Sequence, residues 1–194
     1  AVYLAGQKFG LRSAAENFTL DELSEGIEFA HSKNAKVFVV LNGFLHDSDL
    51  NELPRFVEQI DELKADAVIA SDLGVIKTVS KTSKIPIHLS TQASCLNRYS
   101  AEMWKRMGVS RLIFGREVSI ESAGRIKKQT GLEVELFIHG SMCMAYSGNC
   151  TISNYTQGRD SNRGGCAQSC RFKYSLDFKN ESEKCVSDTA FMSS

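Results

Sequence analysis

Six short apolar runs alternate with stretches of helical periodicity, and this alternation constrains the fold more than any other feature of the sequence. The runs are residues 1–6, 36–43, 65–72, 85–92, 111–117 and 133–140. Between them, apolar residues recur at helical spacing, as in Leu20, Leu23 and Ile27. Strands separated by helices are typically parallel, because each helix carries the chain back across the sheet. The sequence therefore predicts an α/β fold with a parallel sheet.

Several residues between the strands mark where helices begin and end. Thr19 is followed three residues later by Glu22, which is the capping-box pattern that opens a helix. Pro54 lies near the start of the second helical stretch, and proline is tolerated in the first turn of a helix. Gly108 and Gly131 follow later helical stretches and are expected to end those helices. These signals predict helices in the intervals between the apolar runs.

Two α/β architectures fit this alternation, a doubly wound sheet and a (β/α)8 TIM-like barrel. No glycine-rich phosphate turn follows the first strand, so a dinucleotide-binding doubly wound sheet loses its main support. Polar residues end the apolar runs, and in barrels the carboxyl ends of the strands form the mouth where the chemistry occurs. We therefore predict a TIM-barrel-like fold that is incomplete, with about six strands. Residues 1–140 are expected to form the barrel units, and residues 141–194 a cysteine-rich insertion loop and irregular tail of the same domain.

The composition is that of an ordinary globular protein and excludes few functions. The chain has 194 residues, of which 42% are hydrophobic and 24% charged, and its net charge is zero. Zero net charge gives no reason to expect one class of partner. No apolar run reaches the roughly 18 to 20 residues of a membrane helix, and no signal-peptide pattern precedes the first strand. We expect a cytoplasmic protein that does not contact a membrane.

The start of the chain suggests a piece of a longer protein, because it lies inside an apolar run and is not a methionine. An incomplete barrel would expose the edges of its outer strands, and such edges promote pairing between chains. We therefore expect a homodimer.

Four of the six cysteines lie in one glycine-rich stretch, at Cys143, Cys150, Cys166 and Cys170. Thiolates are soft ligands, and glycine allows a loop to fold tightly around a small group. The stretch therefore predicts an iron–sulfur cluster or another thiophilic metal. Zinc is the main alternative metal, but its structural sites usually contain close CxxC pairs, and the sequence has none. A disulfide framework is disfavoured, because a chain of this length can bury a core without one.

A histidine and a cysteine near the end of the last apolar run suggest a second chemistry. His139 lies four residues before Cys143, and a histidine can be the base that activates a nucleophilic thiol. Neither the GxSxG turn of serine hydrolases nor the HExxH helix of zinc proteases occurs. A backbone-bonded histidine at a strand end is the simpler alternative for His139. For Cys95 and Cys185 we expect buried thiols that pack as small hydrophobic residues.

Basic and aromatic residues are interleaved in the cysteine-rich stretch. Between positions 158 and 173 a single acidic residue, Asp160, accompanies the basic residues Arg159, Arg163, Arg171 and Lys173. The interleaved aromatic residues are Tyr146, Tyr155, Phe172 and Tyr174. Basic side chains can hold phosphate and aromatic rings can stack on an extruded base, so the stretch suggests an RNA partner. A solvated loop with packing aromatic residues is the alternative.

Polar residues at the predicted strand ends are candidate ligands for a small substrate. Asn42, Ser90 and Gln92 would lie at one mouth and orient a polar substrate, or would hydrogen bond to loop backbone. Arg116 could bind a carboxylate through the bidentate fork of its guanidinium, or could pair with Glu117. A dicarboxylate substrate would need two such arginines.

One long motif carries a family resemblance. It reads Glu135-x-Phe137-x-x-Gly140-Ser141-Met142-Cys143, then Gly148-x-Cys150-x-Ile152-Ser153. A second motif reads Asn162-Arg163-Gly164-x-Cys166-x-Gln168-x-Cys170-Arg171. Together with Ser-Thr-Gln at 90–92 and Arg-Glu at 116–117, they resemble the collagenase-like peptidase family U32. The likeness covers most of the chain and is strongest to the branch that hydroxylates tRNA.

The resemblance implies a barrel-like α/β catalytic domain with one of two chemistries. Some relatives hydroxylate quinone rings without molecular oxygen and hold a 4Fe–4S cluster on cysteines. Others depend on prephenate and act on the tRNA wobble uridine or on ribosomal RNA. Carried over to this chain, Cys143, Cys150 and Cys166 are the expected cluster ligands, with Cys170 or a later cysteine as the fourth.

The candidate site residues follow from these two lines of reasoning. The catalytic candidates are His139, Arg116 and Glu117. The substrate-binding candidates are Asn42, Ser90, Gln92, Arg163 and Arg171. We favour a prephenate-dependent, oxygen-independent tRNA hydroxylase with an iron–sulfur cluster. The alternatives are a peptidase that cleaves collagen-like peptides and a fragment without catalytic activity.

Overall fold

The structure, a computed structural model, describes residues 1–11, 17–140 and 143–174, and the backbone of 176–178 and 181–183. The strands are β1 (Val2–Ala5), β2 (Val37–Leu41), β3 (Ala67–Ala70), β4 (Ile87–Leu89), β5 (Val109–Ile113), β6 (Glu133–Glu135), β7 (Leu176–Phe178) and β8 (Glu181–Glu183). The α-helices are α1 (Leu20–Ser32), α2 (Asp47–Leu50), α3 (Leu53–Glu62), α4 (Leu73–Thr82), α5 (Arg98–Arg106), α6 (Ile120–Thr130) and α7 (Ile152–Gln157). Single 3-10 turns occupy Thr91–Ala93, Tyr146–Gly148, Ser161–Arg163 and Ser169–Arg171.

Strand order distinguishes the two architectures that the sequence left open. The six-stranded sheet has the order β1-β2-β3-β4-β5-β6, and every neighbouring pair is parallel. A doubly wound sheet reverses its strand order at a switch point, whereas a barrel adds each strand beside the previous one. The unbroken order therefore confirms the TIM-barrel-like α/β fold with six strands. Strands β7 and β8 form a separate antiparallel pair.

Helices cover one face of the sheet, here called the outer face. The opposite face, the inner face, is also apolar. On the outer face, strand residues such as Val39 and Leu112 pack with helix residues such as Ile60. On the inner face, Phe38 and Ile69 belong to a second, smaller buried cluster. Burial on both faces explains why these strands read as continuous apolar runs rather than alternating ones.

The predicted helix boundaries are confirmed because they depend on local chemistry. The Thr19 hydroxyl accepts a hydrogen bond from the Glu22 N–H, and the Glu22 carboxylate accepts one from the Thr19 N–H. Pro54 lies in the first turn of α3. Gly131 ends α6 with a φ of +71°, in the left-handed region that favours glycine.

The sixth strand is shorter than the apolar run 133–140 predicted. Strand β6 ends at Glu135, whose carbonyl accepts a hydrogen bond from Phe114 N at 3.0 Å. Beyond it, Phe137 is 47% exposed and Ile138 is 95% exposed. The prediction of a strand to residue 140 was wrong. The neighbouring strand β5 ends at Ile113, so the residues after Glu135 have no β5 residue with which to pair.

One extra residue interrupts the register between β4 and β5. Ile87 pairs with Val109, but the next residue of β4, His88, pairs with Arg111. Ser110 is the inserted residue, and its hydroxyl donates to the carbonyl of Ile87 at 3.1 Å. Such a bulge changes the direction in which the following side chains point. As a result Arg111 lies on the inner face.

The inner face carries a buried polar group next to that arginine. The guanidinium of Arg111 lies 5.4 Å from the ring centre of Phe38 and bonds to Glu133 at 2.6 Å. The ring of His88 packs edge-on against Phe38 at 4.5 Å. Burial, followed by the nearby charge of Arg111, lowers the pKa of His88 to about 4. His88 Nδ1 has no hydrogen-bond partner among the described residues, so the ring is a neutral group held mainly by packing.

The remaining fold predictions concern surfaces. Across the described ranges, every helix is too short or too polar to cross a bilayer. Tyr3, on the edge strand β1, is 68% exposed. The homodimer and the division of the domain at residue 140 stay predictions.

Candidate functional site

The segment 143–174, here called the thiol segment, lies over the carboxyl ends of the strands. On one side it bonds to the loop that follows β2. Phe44 N donates to the carbonyl of Asn162 at 3.1 Å. Arg163 Nη1 donates to the Phe44 carbonyl at 2.6 Å and to the Asp49 carboxylate at 2.8 Å. The hydrogen bond from Arg163 lowers the pKa of Asp49, so the ion pair stays formed in mild acid.

On the other side the thiol segment bonds to the loops that follow β4 and β5. Asn149 Nδ2 donates to the Gln92 carbonyl at 3.3 Å and lies 3.4 Å from the Ser94 hydroxyl. The Glu117 carboxylate accepts a hydrogen bond from Ser147 N. Contacts to the loops after three different strands place the segment across the mouth, where barrels carry out their chemistry.

Three predicted substrate-binding residues meet at this mouth. Asn42 Nδ2 lies 3.4 Å from the Ser90 hydroxyl and 3.5 Å from Gln92 Oε1, and Ser90 also hydrogen bonds to Gln92. The side-chain oxygen of Asn42, Oδ1, accepts a hydrogen bond from Leu11 N at 3.2 Å. The cluster is therefore a prearranged set of donors and acceptors, part of whose capacity is used internally.

The four candidate ligand thiols all belong to the thiol segment and are free. Cys143 and Cys166 are exposed, and Cys150 and Cys170 are half-buried. Burial raises the pKa of the Cys170 thiol, and the charges of Cys143, Cys166 and Cys150 add to the effect. The Cys170 thiol therefore lies within electrostatic reach of each of the other three. The four thiols are not gathered into a closed site, since no three His, Cys, Asp or Glu side chains of the described residues are grouped closely enough to hold a metal ion.

The backbone around Cys150 is fixed by a paired contact with Asn162. Cys150 N donates to Asn162 Oδ1 at 3.2 Å, and Asn162 Nδ2 donates to the Cys150 carbonyl at 3.0 Å. Ile152 N in turn donates to Cys150 Sγ at 3.3 Å. An N–H directed at sulfur is typical of thiolates that ligate iron–sulfur clusters, where such bonds tune the reduction potential. The donor set is thus chemically suited to a thiophilic cluster.

The thiol segment is built without a hydrophobic core. Its buried side chains are those of Ser147, Ser153, Ser161 and Ser169. The hydroxyls of Ser153, Ser161 and Ser169 bond across the segment, as in Ala167 N to Ser153 Oγ at 3.0 Å and Thr156 Oγ1 to Ser169 Oγ at 2.7 Å. The Ser147 hydroxyl has no hydrogen-bond partner among the described residues. At Gly165 an added Cβ would lie 2.5 Å from the carbonyl oxygen of Asp160, so only glycine fits there. Small residues and hydrogen bonds therefore determine the shape of the segment.

The catalytic candidates lie at the rim of the mouth. The guanidinium of Arg116 lies 4.6 Å from the ring centre of Phe137. His139 and Cys143 are both exposed, and no hydrogen bond joins them within the part of the chain that the structure describes. The structure gives the nucleophile–base pair no added support. Arg171 is half-buried beside Cys170.

The two remaining cysteines differ from the ligand candidates. Cys95 is 6% exposed, and burial raises the pKa of its thiol to about 11, so it stays protonated. This confirms the prediction of a buried, inert thiol. Cys185 lies outside the described residues.

Comparison with known proteins decides the family. The model of peptidase family U32 matches residues 1–194. The chain belongs to this family. The resemblance of the cysteine-anchored motifs is thereby confirmed.

Two U32 relatives are named as RNA-modifying proteins. A "tRNA hydroxylation protein P1" of Bacillus subtilis is 41% identical over 91% of this chain and 42% of its own length. A "23S rRNA 5-hydroxycytidine C2501 synthase" of Escherichia coli is 36% identical over 96% of this chain and 28% of its own length. The chain thus spans less than half of these relatives.

A solved structure described as a U32 peptidase agrees with the fold. It superposes with a TM-score of 0.59 at 12% identity, covering 73% of this chain and 62% of that chain. At that identity the likeness supports the barrel-like architecture alone.

Two residues of this U32 site were overlooked by reasoning from single residues. Asn149 and Asp49 anchor the thiol segment to the mouth, yet nothing in the sequence marks either of them. Asn162 did carry a signal, because it lies inside the second family motif. Its contact with Cys150 gives a physical reason for its place there.

Proposed function

We propose that the protein containing this chain is an RNA hydroxylase that modifies a tRNA uridine without molecular oxygen. The observation that carries the proposal is the thiol segment, bonded across the mouth of the barrel beside the cluster of Asn42, Ser90 and Gln92. The two U32 relatives described above are both named for RNA hydroxylation, which supports the same function.

The cofactor we propose is a 4Fe–4S cluster held by Cys143, Cys150, Cys166 and Cys170. The support is chemical, namely four free thiols on one segment and an N–H directed at Cys150 Sγ. When bound, such a cluster supplies one-electron transfer. The chain itself holds the Cys150 backbone through Asn162 and positions the segment through Arg163 and Asn149.

The small-molecule partner we propose is prephenate or a closely related dicarboxylate. Packing against Phe137 restricts the planar guanidinium of Arg116, and a restricted guanidinium suits bidentate binding of a carboxylate. Arg171, near the thiols, is the second candidate cation. Arg163 contributes by anchoring the segment through Asp49, while Glu117 orients the 3-10 turn at Ser147.

The deciding experiment is nucleoside analysis of tRNA from cells that lack the full-length protein. Loss of hydroxylated uridine, restored by the wild-type gene, is the expected result. Unchanged tRNA would contradict the proposed substrate, and cleavage of gelatin that is lost in His139→Ala and Cys143→Ala would support a peptidase instead.

The cluster is tested by anaerobic purification of the full-length protein. We expect a brown, iron-containing protein whose colour is lost in Cys150→Ser and kept in the matched control Cys95→Ser, because Cys95 is packed in the main hydrophobic core and is not a candidate ligand. A colourless, iron-free protein that still hydroxylates tRNA would remove the cluster from the proposal.

A further inference from the structure

We propose that Tyr155 and the groove beside it form the surface on which one unpaired RNA base stacks, next to Cys150. The proposal rests on the RNA-modifying function above and specifies where the target base lies.

The groove is a shallow cavity of about 480 Å³ on the thiol segment. Its lining includes Met144, Cys150, Ile152 and Tyr155, and is predominantly apolar. The volume falls within the range of sites for small planar ligands. Because the Cys150 thiol forms part of the wall, a ligand in the groove would lie directly beside one of the four candidate sulfurs.

Tyr155 is presented by an anchored helix rather than by a loose loop. Its side chain is 92% exposed, so packing within the described residues does not explain an aromatic residue there. The neighbouring positions of α7 are fixed, with Asn154 Oδ1 accepting from Ser161 N at 3.1 Å and Thr156 Oγ1 donating to Ser169 Oγ at 2.7 Å. An exposed ring on a fixed helix is a stacking surface whose backbone has little conformational freedom left to lose.

The charge of the thiol segment, which carries the groove, favours RNA over an apolar peptide. Arg159 follows the end of α7, is exposed, and has its backbone fixed by a 3.1 Å hydrogen bond to the Ser153 carbonyl. Arg171 and Lys173 add positive charge to the same segment, which has Asp160 as its only acid from 158 to 173. Stacking on an aromatic ring combined with nearby cations is the usual way proteins hold single-stranded nucleic acid.

The groove also adjoins the polar cluster of the mouth. Asn149 lines the groove, and its side-chain amide donates to the Gln92 carbonyl at 3.3 Å. A base in the groove would therefore lie beside Cys150 and beside Asn149, which is hydrogen bonded to the backbone of Gln92.

The test measures binding by the full-length protein of an unmodified tRNA anticodon stem–loop and of the same stem–loop with an abasic site at the wobble position. We expect wild type to bind the intact probe about 5- to 150-fold more tightly than the abasic probe. Tyr155→Ala should bind both probes equally, and Tyr155→Trp should restore the preference. The matched control is Tyr99→Ala, because Tyr99 is 63% exposed on helix α5 and does not line the groove.

The outcomes separate this proposal from the function on which it rests. Tyr155→Ala that still prefers the intact probe would overturn the stacking surface while leaving tRNA hydroxylation intact. Equal weakening of both probes would also overturn it, since that result indicates a structural role for Tyr155. Tyr155→Trp also adds a fluorescent side chain at the groove. If a soluble quencher reduces this added fluorescence poorly in the absence of RNA, another part of the protein covers the groove and the stacking surface is overturned. Failure of wild type to bind either probe would contradict both proposals.

Discussion

The barrel body (residues 1–140) and the thiol segment are stabilised by different forces. Every buried hydrophobic side chain of the described residues lies between Phe9 and Leu132. The buried side chains of the thiol segment are serines, and the hydroxyls of Ser153, Ser161 and Ser169 form hydrogen bonds. Burial of apolar surface adds about 25 cal/mol per Å² to the free energy of unfolding. A typical hydrogen bond adds a net of about 1 kcal/mol.

This difference has a consequence for function. A segment held by hydrogen bonds and the Arg163–Asp49 ion pair rather than by apolar burial belongs to the less stable part of a protein, where binding loops are commonly found. A group bound by the thiols would therefore add a large share of the segment's stability and little to that of the body. The following predictions test this separation.

The largest expected effect is in the body, for Phe114→Ala. Phe114 is the largest fully buried side chain, at 1% exposed, so its removal should lower the free energy of unfolding by about 3–5 kcal/mol. Chemical denaturation followed by circular dichroism measures the change. Phe29→Ala is the matched control, because Phe29 is 68% exposed and should change stability by less than about 0.5 kcal/mol. Similar effects for the two variants would contradict the assigned core.

A smaller effect is expected from acid, through His88. Its folded pKa of about 4 lies below the ordinary value of 6.5, so between these values the unfolded chain binds a proton that the folded chain does not. The full contribution is present above pH 6.5 and is lost as the pH falls towards 4, by roughly 3 kcal/mol. Denaturation at several pH values measures this slope, which should be shallower in His88→Gln. An equal slope in both proteins would show that other groups cause the acid sensitivity.

Gly165→Ala is expected to change the stability of the whole protein least, because its effect is confined to the thiol segment. The added Cβ would meet the Asp160 backbone at 2.5 Å, so the thiol segment should lose about 1–3 kcal/mol of local stability. Hydrogen exchange should rise in 143–174 and stay unchanged in the body. The matched control is Gly124→Ala in α6, where no atom lies within 4 Å of the added Cβ and the body should gain about 0.5–1 kcal/mol. Faster exchange throughout the chain would show that the two regions are not separate.

The body was largely predictable from sequence because its signals are local. The capping box at Thr19 and the helix end at Gly131 depend on residues within one turn, and both appeared where expected. The strand order followed from regular alternation. The end of β6 did not, because it depends on where the neighbouring strand β5 stops.

The types of residue at the site could be predicted from the sequence, but the contacts that hold the site in place could not. The strand ends correctly predicted that Asn42 and Gln92 would meet, whereas the common metal site of the thiols stays a prediction. The ion pair of Arg163 with Asp49 joins residues 114 positions apart, a separation at which single-sequence patterns carry no information. The buried serines gave no signal either, because serine is mostly an exposed residue.

The single inserted residue in β5 has a further consequence for how the chain tolerates changes in length. Ile87 already pairs with Val109 and His88 with Arg111, so deleting Ser110 would remove the bulge and leave Arg111 and Leu112 on their present faces. A residue added between Arg111 and Leu112 would instead turn Leu112 away from the helices, because side chains of a strand alternate between faces. This strand can therefore lose the residue at position 110 and keep its two faces, whereas a gain of one residue after position 111 would exchange them.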